Sequence, residues 1–198
     1  MNILHLISSP RKAGSYSIQL GNSLIKKLEE AYPGSNVTVH DLTNTPFPHL
    51  EEVHLQSFFT LAESRSPVQQ EAVRHPDAAI AELMAADIVV IGAPLYNFGI
   101  SSTLKAWIDH IARRGITFRY SEAGPEGLVK GKKVYLAMSS GGIYSDGPQS
   151  AYDFVVPYLK AVLGFMGMTD ITVVRVEGTS LPDFKDTAVE KGVESVLV

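Results

Sequence analysis

A serine-rich loop near the start of the chain has the residue types that bind a phosphate group. Residues 8–17 read Ser-Ser-Pro-Arg-Lys-Ala-Gly-Ser-Tyr-Ser, between an apolar strand candidate at 2–7 and a helix candidate at 16–31. Free N–H groups and the dipole at a helix N-terminus both favour an anion. The loop therefore predicts a phosphate site at Ser9, Ser15, Tyr16 and Ser17. The alternative is that Ser15 serves only as the N-cap of the helix.

The loop differs from the common nucleotide-binding loops. It contains neither G-x-x-x-x-G-K-[ST] nor G-x-G-x-x-G. Serine hydroxyls without the lysine of a nucleoside triphosphatase suit a phosphate monoester better than a reacting triphosphate. Flavin mononucleotide (FMN) carries such a monoester, so we expect FMN here and not FAD.

Two further loops follow strand candidates and contain residues suited to a flat ring. The loop after strand candidate 87–92 offers apolar walls and a polar amide, from Pro94, Leu95, Tyr96, Asn97 and Phe98. The loop after strand candidate 134–138 offers hydroxyls and backbone amides that approach a ligand closely, from Ser139, Ser140, Gly141 and Gly142. Such amides stabilise negative charge on a reduced flavin ring. The alternatives are a loop that packs its own aromatic rings and an ordinary flexible turn.

Strand and helix candidates alternate along the whole chain and must position these loops. The strands are predicted at 2–7, 37–42, 87–92, 134–138 and 171–176, and the helices at 16–31, 77–86, 103–114, 151–165 and 183–196. We expect a kink at Pro157 and, at 43–76, an excursion over one end of the sheet with helical patches between four prolines. The alternation predicts a doubly wound α/β fold, a five-stranded parallel sheet of order 2-1-3-4-5 with helices on both faces. Ligands then bind beyond the carboxyl ends of the strands, at the three loops above.

Composition excludes several functional classes. The 198 residues include 17 Lys and Arg against 21 Asp and Glu, so a net charge of −4 predicts no nucleic-acid or anionic-membrane partner. The absence of cysteine excludes disulfides and thiolate chemistry. No apolar run approaches the roughly 20 residues of a membrane span and no signal peptide is evident, so a cytoplasmic location is expected.

The histidines predict no metal site. His49 and His54 are five positions apart, whereas a zinc peptidase helix needs four, so we interpret both as surface residues. The other histidines are scattered along the sequence.

The three loops resemble those of the FMN-dependent NADH:quinone oxidoreductase and azoreductase family. The resemblance covers nearly the whole chain and is most specific at 96–98 (Tyr-Asn-Phe) and 117–120 (Thr-Phe-Arg-Tyr), with further matches at 127–133, 146–148 and 163–167. It implies a single flavodoxin-like domain over 1–198, bound FMN, NADH or NADPH as electron donor, and a homodimer. The sequence departs from the family at Leu95, Ser140 and Tyr144, where many relatives have methionine, arginine and histidine.

The resemblance implies two-electron reduction of quinones at bound FMN, with aromatic azo compounds as a further candidate class of acceptor. The chain lacks a dinucleotide fingerprint, so donor and acceptor are expected to take turns at one pocket, with ping-pong kinetics. The flavin carries the hydride and no catalytic side chain is expected, while Phe98, Tyr120 and Tyr144 shape the substrate side. A flavodoxin-type one-electron carrier and a flavin-binding regulatory protein with low turnover remain the alternatives.

Two apolar segments are expected to form the contact between the copies. Helix candidate 103–114 carries Leu104, Trp107, Ile108 and Ile111 around a broad arc, and residues 162–168 are apolar on all sides. A monomer that exposed both would show an unusually large apolar patch.

Overall fold

Seven strands are present in the computed structural model, which describes residues 1–184 and 187–196. In chain order they are β1 (Asn2–Ile7), β2 (Asn36–Asp41), β3 (Ile88–Pro94), β4 (Phe118–Ser121), β5 (Gly124–Gly127), β6 (Lys133–Ser139) and β7 (Asp170–Val176). Five of them form one parallel sheet in the order β2-β1-β3-β6-β7, while β4 and β5 pair as a separate antiparallel hairpin. Counted among the strands of the main sheet, this is the predicted 2-1-3-4-5 order. The hairpin was not predicted from the sequence.

Helices cover both faces of the sheet, as the alternation predicts. They are α1 (Tyr16–Ala31), α2 (Glu52–Phe59), α3 (Pro67–Ala85), α4 (Ser102–Ile111), α5 (Val156–Phe165) and α6 (Ala188–Glu194). One buried apolar cluster joins the sheet to α3, α4 and α5, and a second joins its other face to α1 and α6. The central strands β3 and β6 are almost entirely buried and apolar, whereas the edge strand β2 is largely exposed. None of the described helices is both long and apolar enough to cross a membrane.

Helix α3 begins at Pro67, and the prediction that it begins at residue 77 was wrong. Ser66 caps its N-terminus in a capping box with Gln69, and Pro67 occupies the first turn, where a missing N–H costs nothing. Pro76 therefore lies inside the helix, where it is buried. The helical patches expected within 43–76 correspond to α2 and to the start of α3.

The last two helices are shorter than predicted. Helix α5 begins at Val156, so Pro157 occupies its first turn and produces no mid-helix kink. Helix α6 spans Ala188–Glu194, within the predicted 183–196. Residues 185–186 of that prediction and 197–198 of the predicted domain lie outside the described residues.

Most of the apolar residues assigned to a dimer contact belong to the core of the single chain. On α4, Leu104, Trp107, Ile108 and Ile111 are all buried against the sheet. In the second segment Leu163, Met166 and Met168 are buried in the same cluster. A single copy therefore buries most of these residues, contrary to the expectation, while Phe165 is 36% exposed and its ring packs on that of Phe118 at 4.5 Å.

The interpretation of His54 as a surface residue was also wrong. Helix α2 packs on α3, and the buried His54 ring meets the His110 ring edge-on at 4.8 Å between centroids. His40 and His75 stack at 6.0 Å, and His75 stacks on Phe47 at 4.0 Å. Four of the six histidines, His40, His54, His75 and His110, thus pack in one cluster with Phe47 beside α3. Across 1–184 and 187–196, no cluster of three or more His, Asp or Glu is arranged to hold a metal ion.

Candidate functional site

The N-terminus of α1 presents buried hydroxyls and free backbone donors. The Ser15 hydroxyl accepts from the Ile18 N–H at 3.5 Å, so Ser15 is the N-cap of the helix. The Ser15 and Ser17 hydroxyl oxygens are 3.0 Å apart, and both side chains are buried. Among the described residues, no acceptor binds the backbone N–H groups of Tyr16 and Ser17. Capping and anion binding are thus compatible roles at this helix end.

The loop after β1 is tied to β3 and to the loop that follows it. The buried Ser8 hydroxyl donates to the Gly92 carbonyl at 2.6 Å. Ser9 is buried as well, and its hydroxyl shares a hydrogen bond of 3.3 Å with the Tyr96 hydroxyl. Two of the three predicted loops are therefore held together by side chains that the sequence analysis selected.

His5 lies beneath α1, on β1. Its imidazole is buried, and its Nε2 has no hydrogen-bond partner within the described part of the chain. Burial alone lowers the pKa of His5 to about 4, so the ring is neutral near pH 7. Gly21 makes room for it, since a Cβ at that position would stand 2.6 Å from Nε2. The close packing of α1 on β1 thus depends on an uncharged His5.

A tight turn carries the exposed aromatic residue of the second loop. Tyr96 and Gly99 exchange two backbone hydrogen bonds, of 2.9 and 3.0 Å, around Asn97 and Phe98. Both central residues have positive φ, 48° for Asn97 and 69° for Phe98. Asparagine tolerates this left-handed backbone conformation, whereas phenylalanine adopts it only at a cost in free energy. Backbone strain of this kind is concentrated at functional sites.

The glycine loop after β6 is braced by the loop after β7. The Gly141 and Gly142 carbonyls accept from the N–H groups of Ser180 and Gly178, each at 3.0 Å. A Cβ on Gly141 would stand 2.7 Å from the Ser180 hydroxyl oxygen, so glycine is needed for this packing. The N–H groups of Gly141 and Gly142 donate to no acceptor in the described ranges. Their backbone donors therefore remain available.

A slot of about 60 Å³ lies where the three loops meet. It is lined by Arg11, Ser15, Tyr16, Pro94, Leu95, Tyr96, Ser139, Ser140, Gly141 and Thr179. Most of the predicted binding residues are thus brought together. Thr179 was missed, although the carboxyl end of β7 lies beside that of β6 and signals its position. A larger cavity, of about 500 Å³, lies near Met1 and Lys132 but contains none of the predicted residues. We place the candidate site at the slot because hydroxyl and backbone N–H donors of the three predicted loops line it.

The predicted substrate-side aromatics fall into two groups. The Phe98 ring lies 6.5 Å from that of Tyr144 and 5.6 Å from that of Tyr152, a residue that the sequence analysis did not select. Tyr120 instead lies on the hairpin, where its ring meets Phe118 at 5.8 Å. Within the described residues of one chain, the Tyr120 ring pairs with neither Phe98 nor Tyr144. The expected three-residue substrate wall is therefore incomplete in a single copy.

Comparisons with known proteins agree with the fold. The family model described as "Flavodoxin-like fold" matches residues 1–197. An FMN-dependent NADH:quinone oxidoreductase from Mesorhizobium japonicum is 46% identical over 99% of this chain and 94% of its own length. The solved structure of azoreductase AzrA is 30% identical, covers 98% of this chain and 96% of its own, and superposes with a TM-score of 0.91. An FMN-dependent NADH-azoreductase from Bacillus anthracis, solved in complex with FMN, is 25% identical, covers 98% and 97%, and has a TM-score of 0.86.

Proposed function

Because this chain belongs to the flavodoxin-like fold family, among the FMN-dependent NADH:quinone oxidoreductases, we propose that it is an FMN-dependent oxidoreductase that reduces quinones and aromatic azo compounds with NADH or NADPH. One observation carries this proposal. Buried hydroxyls at the α1 N-terminus, the strained turn at Phe98 and the free amides of Gly141 and Gly142 converge on one edge of the sheet.

The α1 end of the slot suits the phosphate of FMN. Ser9, Ser15 and Ser17 offer hydroxyl donors, and the free N–H groups of Tyr16 and Ser17 add backbone donors where the helix dipole favours an anion. The exposed Arg11 lines the same slot and brings a positive charge. These donors fit one phosphate and include no lysine placed for a reacting triphosphate.

The other loops suit the ring. Pro94, Leu95 and Tyr96 provide the wall, Asn97 offers an amide, and the free N–H groups of Gly141 and Gly142 provide donors for a negatively charged ring edge. Bound FMN supplies hydride transfer from the nicotinamide donor to the acceptor. Phe98 and Tyr144 then bound the side on which donor and acceptor take turns.

The small slot also supports a homodimer. Binding sites for ligands about as large as FMN usually enclose about 300–1,000 Å³. The slot in one copy encloses only about 60 Å³. A second copy would cover the part of the flavin ring that the slot leaves exposed. It would also add its own Tyr120 and other exposed aromatic side chains to the site. Light scattering tests this, since a fully active species with a mass near 21.5 kDa contradicts the homodimer.

The phosphate assignment is tested by adding one negative charge at two positions of α1. Ser17→Asp places it among the proposed phosphate donors, whereas Asn22→Asp places it on the exposed face of the same helix. Loss of a hydrogen bond to a charged group costs about 1.5–3 kcal/mol, so FMN affinity should fall by at least about tenfold in Ser17→Asp only. The melting temperatures of the FMN-free proteins control for folding, and Ser17→Ala replaces Ser17→Asp if the latter does not fold. Wild-type affinity in Ser17→Asp or Ser17→Ala contradicts the assignment.

Turnover distinguishes the enzyme from its alternatives. Anaerobic NADH oxidation with menadione as acceptor should be rapid in the FMN-loaded protein. Negligible rates with every quinone and azo acceptor, at full FMN occupancy, would favour the regulatory protein. Reduction of one-electron acceptors alone would favour the carrier.

A further inference from the structure

A charged network holds both ends of the loop formed by residues 144–153, which follows the glycine loop. At its first end, the Glu177 carboxylate oxygen Oε1 accepts from the N–H groups of Tyr144 and Ser145, at 2.8 and 3.0 Å. Glu177 follows β7 directly, at the carboxyl edge of the sheet. One side chain therefore fixes the backbone where the 144–153 loop leaves the glycine loop.

The second end is fixed by Asp153. Its Oδ1 accepts from the N–H groups of Val155 and Val156, each at 3.0 Å, and so satisfies donors at the start of α5. Its Oδ2 accepts from the Arg175 Nη2 at 2.6 Å. The 144–153 loop thus ends on a carboxylate that is bonded to the last sheet strand.

Arg175 joins the two ends. Its Nη1 donates to Glu177 Oε1 at 3.2 Å, and the two residues lie on the same side of the chain because they are two positions apart. The side chains of Arg175, Glu177 and Asp153 are only 20%, 11% and 6% exposed. Water screens such pairs far less than it screens surface pairs. The network therefore fixes the spacing of the loop ends.

We propose that Arg175, Glu177 and Asp153 are positioning residues that set acceptor selectivity through the 144–153 loop. The loop carries Tyr144 and Tyr152, whose rings pack around Phe98, two residues after Tyr96 of the slot lining. Fixing both ends holds these rings at one distance from Phe98, which limits the size of the acceptor that can enter. This inference rests on the proposed quinone and azo reduction.

Isosteric substitutions isolate the charges of the network. Glu177→Gln and Asp153→Asn keep an oxygen that accepts the backbone N–H groups but remove the charge that pairs with Arg175. Asp170→Asn is the matched control, because Asp170 forms an ion pair of 2.7 Å with Lys133 at the other end of β7. Arg175→Lys keeps the positive charge but loses the guanidinium that bonds to both Glu177 and Asp153. This variant replaces any network variant that does not fold.

Two measurements on the FMN-loaded protein test the proposal. Hydrogen exchange of the Tyr144 and Ser145 amides should accelerate by on the order of tenfold in Glu177→Gln, because a neutral acceptor holds them less strongly. The ratio of kcat/KM for benzoquinone to that for a bulky azo dye should fall by about threefold or more in Glu177→Gln and Asp153→Asn. A ratio taken on one sample is independent of how much of the protein is folded.

The outcomes separate this inference from the proposed function. In one outcome, the wild-type protein reduces both acceptors while the ratio of the two kcat/KM values is the same in the network variants as in Asp170→Asn. That result leaves the proposed function intact and overturns the inference. Unchanged amide exchange in Glu177→Gln overturns it as well. A wild-type protein that reduces neither acceptor overturns the proposed function and the inference together.

Discussion

Replacing Phe98 by glycine and by alanine separates backbone strain from the role of the ring. At a φ of 69°, an L-residue carries a cost of about 1–2 kcal/mol that glycine does not. Glycine at the same time loses about 0.5–1 kcal/mol because its unfolded state is freer. The difference predicts that Phe98→Gly is more stable than Phe98→Ala, by about 0.5–1 kcal/mol.

Leu61 provides the matched control. It is also an exposed apolar residue, but its φ is −58°, which any residue adopts readily. Here alanine should be more stable than glycine by about 0.5–1 kcal/mol, so the order of the two variants is reversed. Urea unfolding of the FMN-free proteins measures both pairs. The same order at positions 61 and 98 would refute the argument from strain.

The two variants should not differ in function. Both remove the ring that packs against Tyr152 and Tyr144, and neither removes the backbone carbonyl that accepts from the Phe154 N–H. We expect similar increases in the acceptor KM and little change in FMN affinity for both. A selective loss of FMN affinity would instead place the Phe98 ring in the cofactor site.

Three further predictions concern stability and kinetics. Gly127→Ala should lower the free energy of unfolding, measured in urea, by more than about 2 kcal/mol, because its Cβ would clash with the backbone of Met166 and Gly167. Gly14→Ala has open space around the added Cβ, so its free energy of unfolding should be within about 0.5 kcal/mol of wild type. Burial in the folded protein lowers the His5 pKa from 6.5 to about 4. The free energy of unfolding should therefore fall by up to about 3 kcal/mol as the pH falls from 6.5 towards 4, because the unfolded chain binds the proton first. His5→Leu should reduce that pH dependence, and an unchanged dependence would contradict it. Double-reciprocal plots of NADH oxidation at several quinone concentrations should be parallel, while intersecting lines would indicate a separate nicotinamide site.

The elements that position the site could be predicted because local signals determine them. Strand β1 and helix α1 have the predicted bounds, since a continuous apolar run defines the strand and Ser15 begins the helix. The convergence of three loops follows from topology alone.

The start of α3, the hairpin and the bonds of Arg175 were not predicted. The first has a local signal that was misinterpreted, and the other two depend on contacts between distant parts of the sequence. The Ser66-Pro67-x-Gln69 pattern signals the start of α3, but Pro76 was interpreted as a boundary. The short strands of the hairpin have little apolar content and depend on contacts made elsewhere in the fold. The hydrogen bond between Arg175 and Asp153 joins residues far apart in the sequence, so only the assembled sheet reveals it.

The anchoring of the 144–153 loop has a consequence for how this protein can change over evolution. Residues 145–152 are exposed, while both loop ends are bonded to the sheet through β7. Closing a longer flexible loop between fixed ends costs only about 0.6 kcal/mol for each doubling of its length. Insertions and substitutions within residues 145–152 are therefore compatible with an intact sheet and with an unchanged N-terminus of α1, where we propose that the phosphate binds. This part of the chain can diversify independently, and it is the natural place to introduce loop libraries when a different acceptor range is wanted.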